Sequence, residues 1–368
     1  MSGEILGMVS AKRGSETQGF DRGEAVDPGW IREFAQAHED AGFDRVLIGY
    51  SATSPDGFAI ATAVLNQTKH LKVLIAHRPG FVAPTVEARK LATLDQLTGG
   101  GRVAIHHISG GSDADQRRDG DHISKDERYA RTGEFIEVLR RTLDSQTPFD
   151  FEGDFYRVVD AYSSVRPVNP NGVPIFFGGQ SDAAVTIGAQ HADTFMLFGE
   201  PLAATAERIQ IIQSEARKHG RSVDFSISTR PIVADTEEAA WAKAHEIEEQ
   251  IAEQRSREGA FAARDARRKD DAAVSNLRLQ LHARDERVHD ERLWFGATRA
   301  AGLGGNSTGH VGTPEQVADA LIEYWDLGVR KFLIRGFDQL GDVTTWGEGL
   351  VPELRKRIDE RESARAAA

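Results

Sequence analysis

Residues 71–109 read LKVLIAHRPGFVAPTVEARKLATLDQLTGGGRVAIHHIS. Two apolar runs of strand length, Leu71–Arg78 and Arg102–Ser109, flank a segment with helical spacing, Thr85–Leu97. Pro79-Gly80 punctuates the first run, and Thr98 with three glycines ends the helical segment. Strand, helix and strand in that order form a crossover unit, the connection that joins parallel strands. How often this unit repeats decides the fold.

It repeats in both directions. Upstream, Leu6–Ser10 follows Glu4-Ile5 as a first strand, Trp30–Ala41 is an amphipathic helix closed by Gly42, and Phe43–Tyr50 is a second strand before a helix at Asp56–Lys69. Downstream comes a long amphipathic helix, Glu127–Ser145, then a hairpin at Phe149–Ala161 around Glu152-Gly153-Asp154. Val173–Phe177 is a fifth strand, Asp182–His191 a helix, Asp193–Phe198 a sixth strand, and Leu202–His219 a helix ended by Gly220. Val223–Ala234 reads as one seventh strand, followed by a helix from Thr236 to about Gln254. Thr313 and Pro314 open a helix to Leu327, Arg330–Phe337 is an eighth strand, and Glu348–Glu360 is a closing helix. Eight strands alternating with helices predict an α/β fold, a (β/α)8 TIM barrel with insertions, as a single domain over 1–368. The alternative is a doubly wound open sheet, whose usual strand count is nearer six. Arg255–Arg292 breaks the rhythm with dense Arg, Asp, Glu and Ala. It reads either as a solvated helix or mobile loop, or as a lid, because an insertion after the seventh strand emerges at the face where barrel active sites lie.

The composition narrows the function. The 368 residues carry Lys+Arg 45 against Asp+Glu 57, a net charge of -12, which argues against a nucleic-acid surface and gives no support for an anionic membrane partner. No stretch approaches the ~18 apolar residues of a membrane helix, and the N-terminus lacks signal-peptide character. With no cysteine, disulfides, thiolate nucleophiles and Cys-ligated metals are excluded. The expectation is a cytoplasmic enzyme.

In a barrel the strand ends and the loops after them build the site. The turn Gly178-Gly179-Gln180-Ser181-Asp182 lets backbone approach a ligand closely and opens a helix whose free N–H groups favour an anion. A phosphate-bearing cofactor fits there, although a plain strand-to-helix turn uses the same residues. His106-His107 ends the fourth strand. Adjacent strand residues face opposite sides, so one histidine faces the lumen and the other the helices, as a ligand-facing or a packing residue. Ser109-Gly110-Gly111 again suits close approach. Tyr50 to Asp56, His77-Arg78, Arg230 and Arg335 complete the strand ends. No metal site is expected, since HExxH, CxxC and His-x-His are absent. No Walker A sequence occurs. Gly302-Leu303-Gly304-Gly305 lacks the third glycine of a dinucleotide fingerprint and follows no strand.

Several stretches taken together carry a family resemblance: 77–113, DERYARTGEFIEVLRR at 126–141, FFGGQSDAA at 176–184, MLFGEP at 196–201 and VGTPEQVADALIEYWDLGVRKFLIRGF at 311–337. The chain resembles the bacterial luciferase-like superfamily, and within it the alkanesulfonate monooxygenase group. The resemblance implies a (β/α)8 barrel that uses reduced FMN, delivered by a separate NAD(P)H-dependent flavin reductase, with O2 and a small organic substrate. It implies a homo-oligomer, dimer or tetramer. Gly178, Gly179, Gln180 and Ser181 match the turn that holds the flavin phosphate, Tyr129 matches a tyrosine beside it, and Ser109 and Gly110 match small residues beside the ring. His106 stands where the family offers an asparagine, and Ser54 where the sulfonate enzymes carry a cysteine. Positions that face a sulfonate differ: Ser228-Thr229-Arg230 replaces an Arg-x-His pair, Leu303 a loop arginine, Phe337 a tyrosine and Phe198 a tryptophan. Arg230 and Arg335 still suit an anion. The resemblance thus implies catalytic roles for His106, Ser54 and Arg230. Rivals on this reading are a deazaflavin F420-dependent oxidoreductase on the same fold and a non-catalytic flavin-binding protein.

Overall fold

The structure, a computed structural model, describes residues 3–15, 17, 19–20, 23–109, 112–258, 274–302 and 308–367. Gly110, residues 259–273 of the expected lid and Leu303 lie outside them. Eight parallel strands close a barrel: β1 (Glu4–Val9), β2 (Arg45–Ile48), β3 (Lys72–His77), β4 (Val103–His107), β5 (Ile175–Gly178), β6 (Thr194–Phe198), β7 (Asp224–Thr229) and β8 (Val329–Ile334), in sequential order around the ring. The helices are α1 (Pro28–Asp40), α2 (Gly57–Gln67), α3 (Pro84–Leu97), α4 (Asp113–Arg118), α5 (Lys125–Asp144), α6 (Asp182–His191), α7 (Leu202–Lys218), α8 (Glu237–Glu258), α9 (Val274–Asp285), α10 (Gly296–Ala301), α11 (Pro314–Leu327), α12 (Gln339–Glu348) and α13 (Leu350–Ala367). The expected (β/α)8 architecture is therefore present. No helix among the described residues is long and apolar enough to cross a membrane.

By contacts the chain forms two compact units, one of residues 1–46, 196–211 and 224–368, the other of 47–195 and 212–223. In the second unit β3 pairs with β4 from Val73↔Val103 to His77↔His107, and β4 with β5 from Ile105↔Ile175 to His107↔Phe177. This register brings the ends of the three strands level, so the residues that follow them share one rim. Helix starts are fixed chemically. Ser124 and Glu127 form a capping box on α5, and Ser181 caps α6. Each cap satisfies N–H groups that would otherwise point unpaired at the rim.

In the first unit β8 pairs with both β1 and β7. The seventh strand is shorter than its apolar pattern suggests. It stops at Thr229; Arg230 N–H donates to Thr308 O, and Pro231 has no N–H for a ladder. Ile232–Val233 then joins a separate small sheet with Gly309–Gly312, Leu293–Trp294 and Val288–His289. The closing helix expected at Glu348–Glu360 is α13, and a further helix, α12, precedes it and ends at Gly349.

The described end of the charged insertion is docked. Leu279 and Ala283 of α9 are buried with Leu293 and Phe295, and Arg278 forks onto the buried Glu200, at 2.7 Å for its closest contact.

Candidate functional site

The strand ends of the second unit hold most of the expected cofactor residues. β5 ends at Gly178, and Gly179 turns with φ +146°. A Cβ at Gly179 would lie 2.6 Å from the Ala184 Cβ and 2.7 Å from the Tyr129 hydroxyl. The position therefore excludes any larger side chain, and the backbone stays bare toward the rim. Gln180 is buried. Ser181 Oγ accepts from Ala184 N–H at 3.3 Å, which caps α6. Tyr129, one turn into α5, is buried and shares a side-chain hydrogen bond with Ser181. Burial raises the Tyr129 phenol above its ordinary value, with that hydrogen bond opposing the rise, so the hydroxyl is a neutral donor at pH 7. Tyr129, Gly179 and Ser181 thus meet at the amino end of a ten-residue helix. Such an end favours an anion through free N–H groups and the helix dipole.

At the end of β4 the two histidines part. His107 is fully buried against Phe135 of α5 and His77, with ring centroids 5.3 and 5.9 Å away. It packs toward the helices, so alternation turns His106 to the barrel interior. Both His106 ring nitrogens are buried without a hydrogen-bond partner among the described residues. Burial lowers its pKa to about 4, so the ring is neutral near pH 7 and offers one N–H and one lone pair. An orphaned neutral imidazole inside a barrel is costly unless something polar meets it. Ser109 is also buried; its hydroxyl bonds Thr132 at 2.9 Å.

Two residues that pattern reading passed over organise this rim. Arg128, fully buried, donates from Nε to Ser109 O at 3.0 Å, to Ile123 O at 2.8 Å and to Asp113 at 2.6 Å. Gln116 donates to the same Ser109 carbonyl at 3.4 Å. Gln116 and Asp113 lie on α4, a helix too short for apolar periodicity. Its one sequence signal is the spacing of the Ser112 cap and Asp115.

Ser54 is exposed in the loop after β2, and its hydroxyl is committed to a turn. It donates to Ser51 O and accepts from Ser51 N–H, both at 2.9 Å. Arg78, after β3, is buried with its guanidinium 4.9 Å from the Tyr50 ring.

The first unit holds Arg230. It is 2 % exposed, donates to Gly336 O at 2.7 Å and stacks on Phe337 at 3.5 Å. Arg230 and Arg335 line a cavity of about 180 Å³ with Met8, Ser10 and Gln339. Two guanidinium groups on one small cavity suit an anionic guest. Among the described residues no cluster of His, Asp and Glu could hold a metal ion.

A family model for luciferase-like monooxygenases matches residues 8–331. Among solved structures, the long-chain alkane monooxygenase LadA is 19% identical with a TM-score of 0.77, covering 97% of this chain and 92% of that one. The riboflavin lyase RcaE, solved with modified FMN and riboflavin, is 20% identical with a TM-score of 0.76, covering 97% and 92%. An F420-dependent secondary alcohol dehydrogenase, solved with an F420–acetone adduct, is 20% identical with a TM-score of 0.67, covering 96% and 99%. At these identities the likeness is one of fold.

Proposed function

The chain belongs to the luciferase-like monooxygenase family, and from that premise we propose that it is the oxygenase of a two-component system, using reduced FMN and O2 on a small polar or anionic substrate. The observation that carries the reading is the cradle at Gly179: a turn with no room for a Cβ, facing the Tyr129 hydroxyl and the Ser181-capped start of α6. Gly178, Gly179, Gln180, Ser181 and Tyr129 would hold the flavin phosphate, and Ser109 would lie beside the ring. Reduced FMN, when bound, would supply the electrons that activate O2. The chain's own task is to orient it, exclude water and offer donors. His106, neutral and orphaned, would meet the reacting region with a hydrogen bond. Ser54 enters through its loop, since its hydroxyl closes the Ser51–Ser54 turn. We place the chain beside the alkanesulfonate monooxygenases by motif, working as one luciferase-like domain with a separate flavin reductase. Its changed substrate-facing residues point away from a plain sulfonate.

Anaerobic titration tests the cofactor. Reduced FMN should bind more tightly than oxidised FMN, because an oxygenase must capture what a reductase releases. Ser181→Ala should weaken binding by about 1.5–3 kcal/mol through loss of a charge-assisted hydrogen bond. Equal affinity for both redox states, or turnover with F420 in place of FMN, would sink the two-component reading.

Arg230 carries the substrate part of the proposal. Its rigid, permanently charged fork reads carboxylate, sulfonate or phosphate. Arg230→Met should raise KM for the substrate and leave reduced-FMN affinity within about twofold, the pattern of lost uniform binding. An unchanged KM would make Arg230 a structural partner of Gly336 and Phe337 only.

A further inference from the structure

Helix α4 is only six residues long, yet buried arginines grip it from two sides. Asp113 takes Arg128 of α5, and Asp115 takes Arg78 at the end of β3. Asp119, just past the helix, lies 3.7 Å from the same Arg78 guanidinium. Burying Arg78 is tolerable only with its charge compensated, so the two carboxylates hold α4 against the β3 end. Asp115 also accepts from the Ala52 N–H at 3.3 Å. That contact reaches into the loop after β2, the loop that carries Ser54.

The loop makes its other hydrogen bonds with itself. Ser51 and Ser54 exchange three, Thr53 N–H donates to Ser51 Oγ, and the Ser51 and Thr53 hydroxyls lie 3.3 Å apart. Those bonds shape the loop without attaching it. Among the described residues the Ala52 N–H is the one hydrogen bond from Ser51–Ser54 that leaves the loop. We infer that Asp115 is a positioning residue: its carboxylate joins Arg78 to Ala52 and so fixes the Ser51–Ser54 loop at the rim of the site. Arg78 supports the same placement by lying across Tyr50, the residue before the loop. The inference rests on the flavin-site reading only in taking this loop as part of the site; the tether itself is independent of any ligand.

Hydrogen exchange on the full-length, flavin-free protein tests the tether. Asp115→Ala should speed exchange of peptides spanning residues 50–56 by about tenfold or more, while α3 and the middle of α5 keep their protection. Asp115→Asn keeps an acceptor oxygen for Ala52 and should leave the loop closer to the parent. Asp115→Ser, whose side chain is too short to span Arg78 and the Ala52 N–H, takes the place of Asp115→Ala if that variant does not fold, and should speed loop exchange likewise. Loop exchange in the truncated variant that matches the parent would overturn the inference. A second readout uses reduced FMN and O2. Asp115→Ala should keep reduced-FMN affinity within about twofold but release several-fold more hydrogen peroxide per flavin consumed, because a loose loop admits water. If the parent protein binds no reduced FMN, the flavin reading falls and the exchange result still decides the tether. If the parent binds it and the variant releases no extra peroxide, the loop is held but does not shield the site, and the positioning role is refuted.

Discussion

Gly179→Ala should cost the protein most of its affinity for reduced FMN, a loss of about 100-fold or more, while the chain still folds. The added methyl would sit 2.6 Å from the Ala184 Cβ and 2.7 Å from the Tyr129 hydroxyl. Ala184 belongs to the first turn of α6, and Tyr129 is buried in the wall, so neither yields cheaply. Relief would have to come from Tyr129 withdrawing, which breaks its bond to Ser181, or from α6 shifting, which moves the N–H groups aimed at the phosphate. Overpacking of this kind costs about 1–3 kcal/mol of stability, and the φ of +146° adds strain for any L residue. Gly172→Ala is the matched control. Gly172 has a positive φ of +71° but nothing within 4 Å of its would-be Cβ, so it should lower the melting temperature without touching affinity. Tyr129→Phe removes the hydroxyl alone and should fall between. Anaerobic titration beside thermal melts reads all three. A Gly179→Ala protein that binds reduced FMN like the parent would place the phosphate elsewhere.

The contrast between that turn and the Asp115 tether explains what the chain discloses in its linear order. Gly178-Gly179-Gln180-Ser181 is contiguous, so its chemistry is visible in four letters. Barrel strands show for a related reason: each is an apolar run set between helices with strong local caps, such as Thr313 with Gln316 before α11 and the left-handed Gly328 after it. The small sheet escapes because strands of two residues, Ile232–Val233 and Leu293–Trp294, have no periodicity to read. Pro231 marks the break in the seventh strand, but Phe225, Ile227 and Thr229 before it and Ile232-Val233 after it read as strand and mask the signal. Gly341, Gly347 and the threonine pair 344–345 hid α12, since glycine and β-branched residues weaken the helical pattern. Tyr129 joins the phosphate turn from 50 residues upstream and was reached only through family resemblance. Arg78 and Asp115 lie 37 residues apart and meet only because the register of β3 and β4 puts their ends side by side. Ser54 shows the converse: its position is plain, but not that its hydroxyl is consumed in a turn.

Acid should unfold the protein well above the usual carboxylate range. Burial lowers the pKa of His38, His106 and His191 to about 4 and of His77 and His310 to about 3. His107 is pushed down as well, by burial first and by the neighbouring His77 and His106 second. Each of these rings is neutral in the folded chain and takes a proton near pH 6.5 once unfolded. The sign follows from linkage: below pH 6.5 the unfolded state binds more protons, so stability is complete above that pH and falls until the folded pKa values are reached. At pH 5.5 each ring costs about 1.4 kcal/mol, and the five with stated values about 7 kcal/mol together. Glu87 works the other way. Buried on α3, 3.5 Å from His77 Nδ1, it has its pKa raised to about 7, chiefly by burial. Its contribution is complete below about pH 4.5 and lost as pH rises through 7, so acidification to pH 5.5 returns about 2 kcal/mol. The net loss, about 5 kcal/mol, rivals the whole stability of an ordinary domain. Melting temperature should therefore drop steeply between pH 6.5 and 5, and His107→Leu, which removes one buried ring with two unpartnered nitrogens, should move the fall to lower pH. A melting temperature that stays level from pH 7.5 to 5 would mean that these rings gain their protons within the fold, and that the interior around His77, His106 and His107 is wetter than its packing indicates.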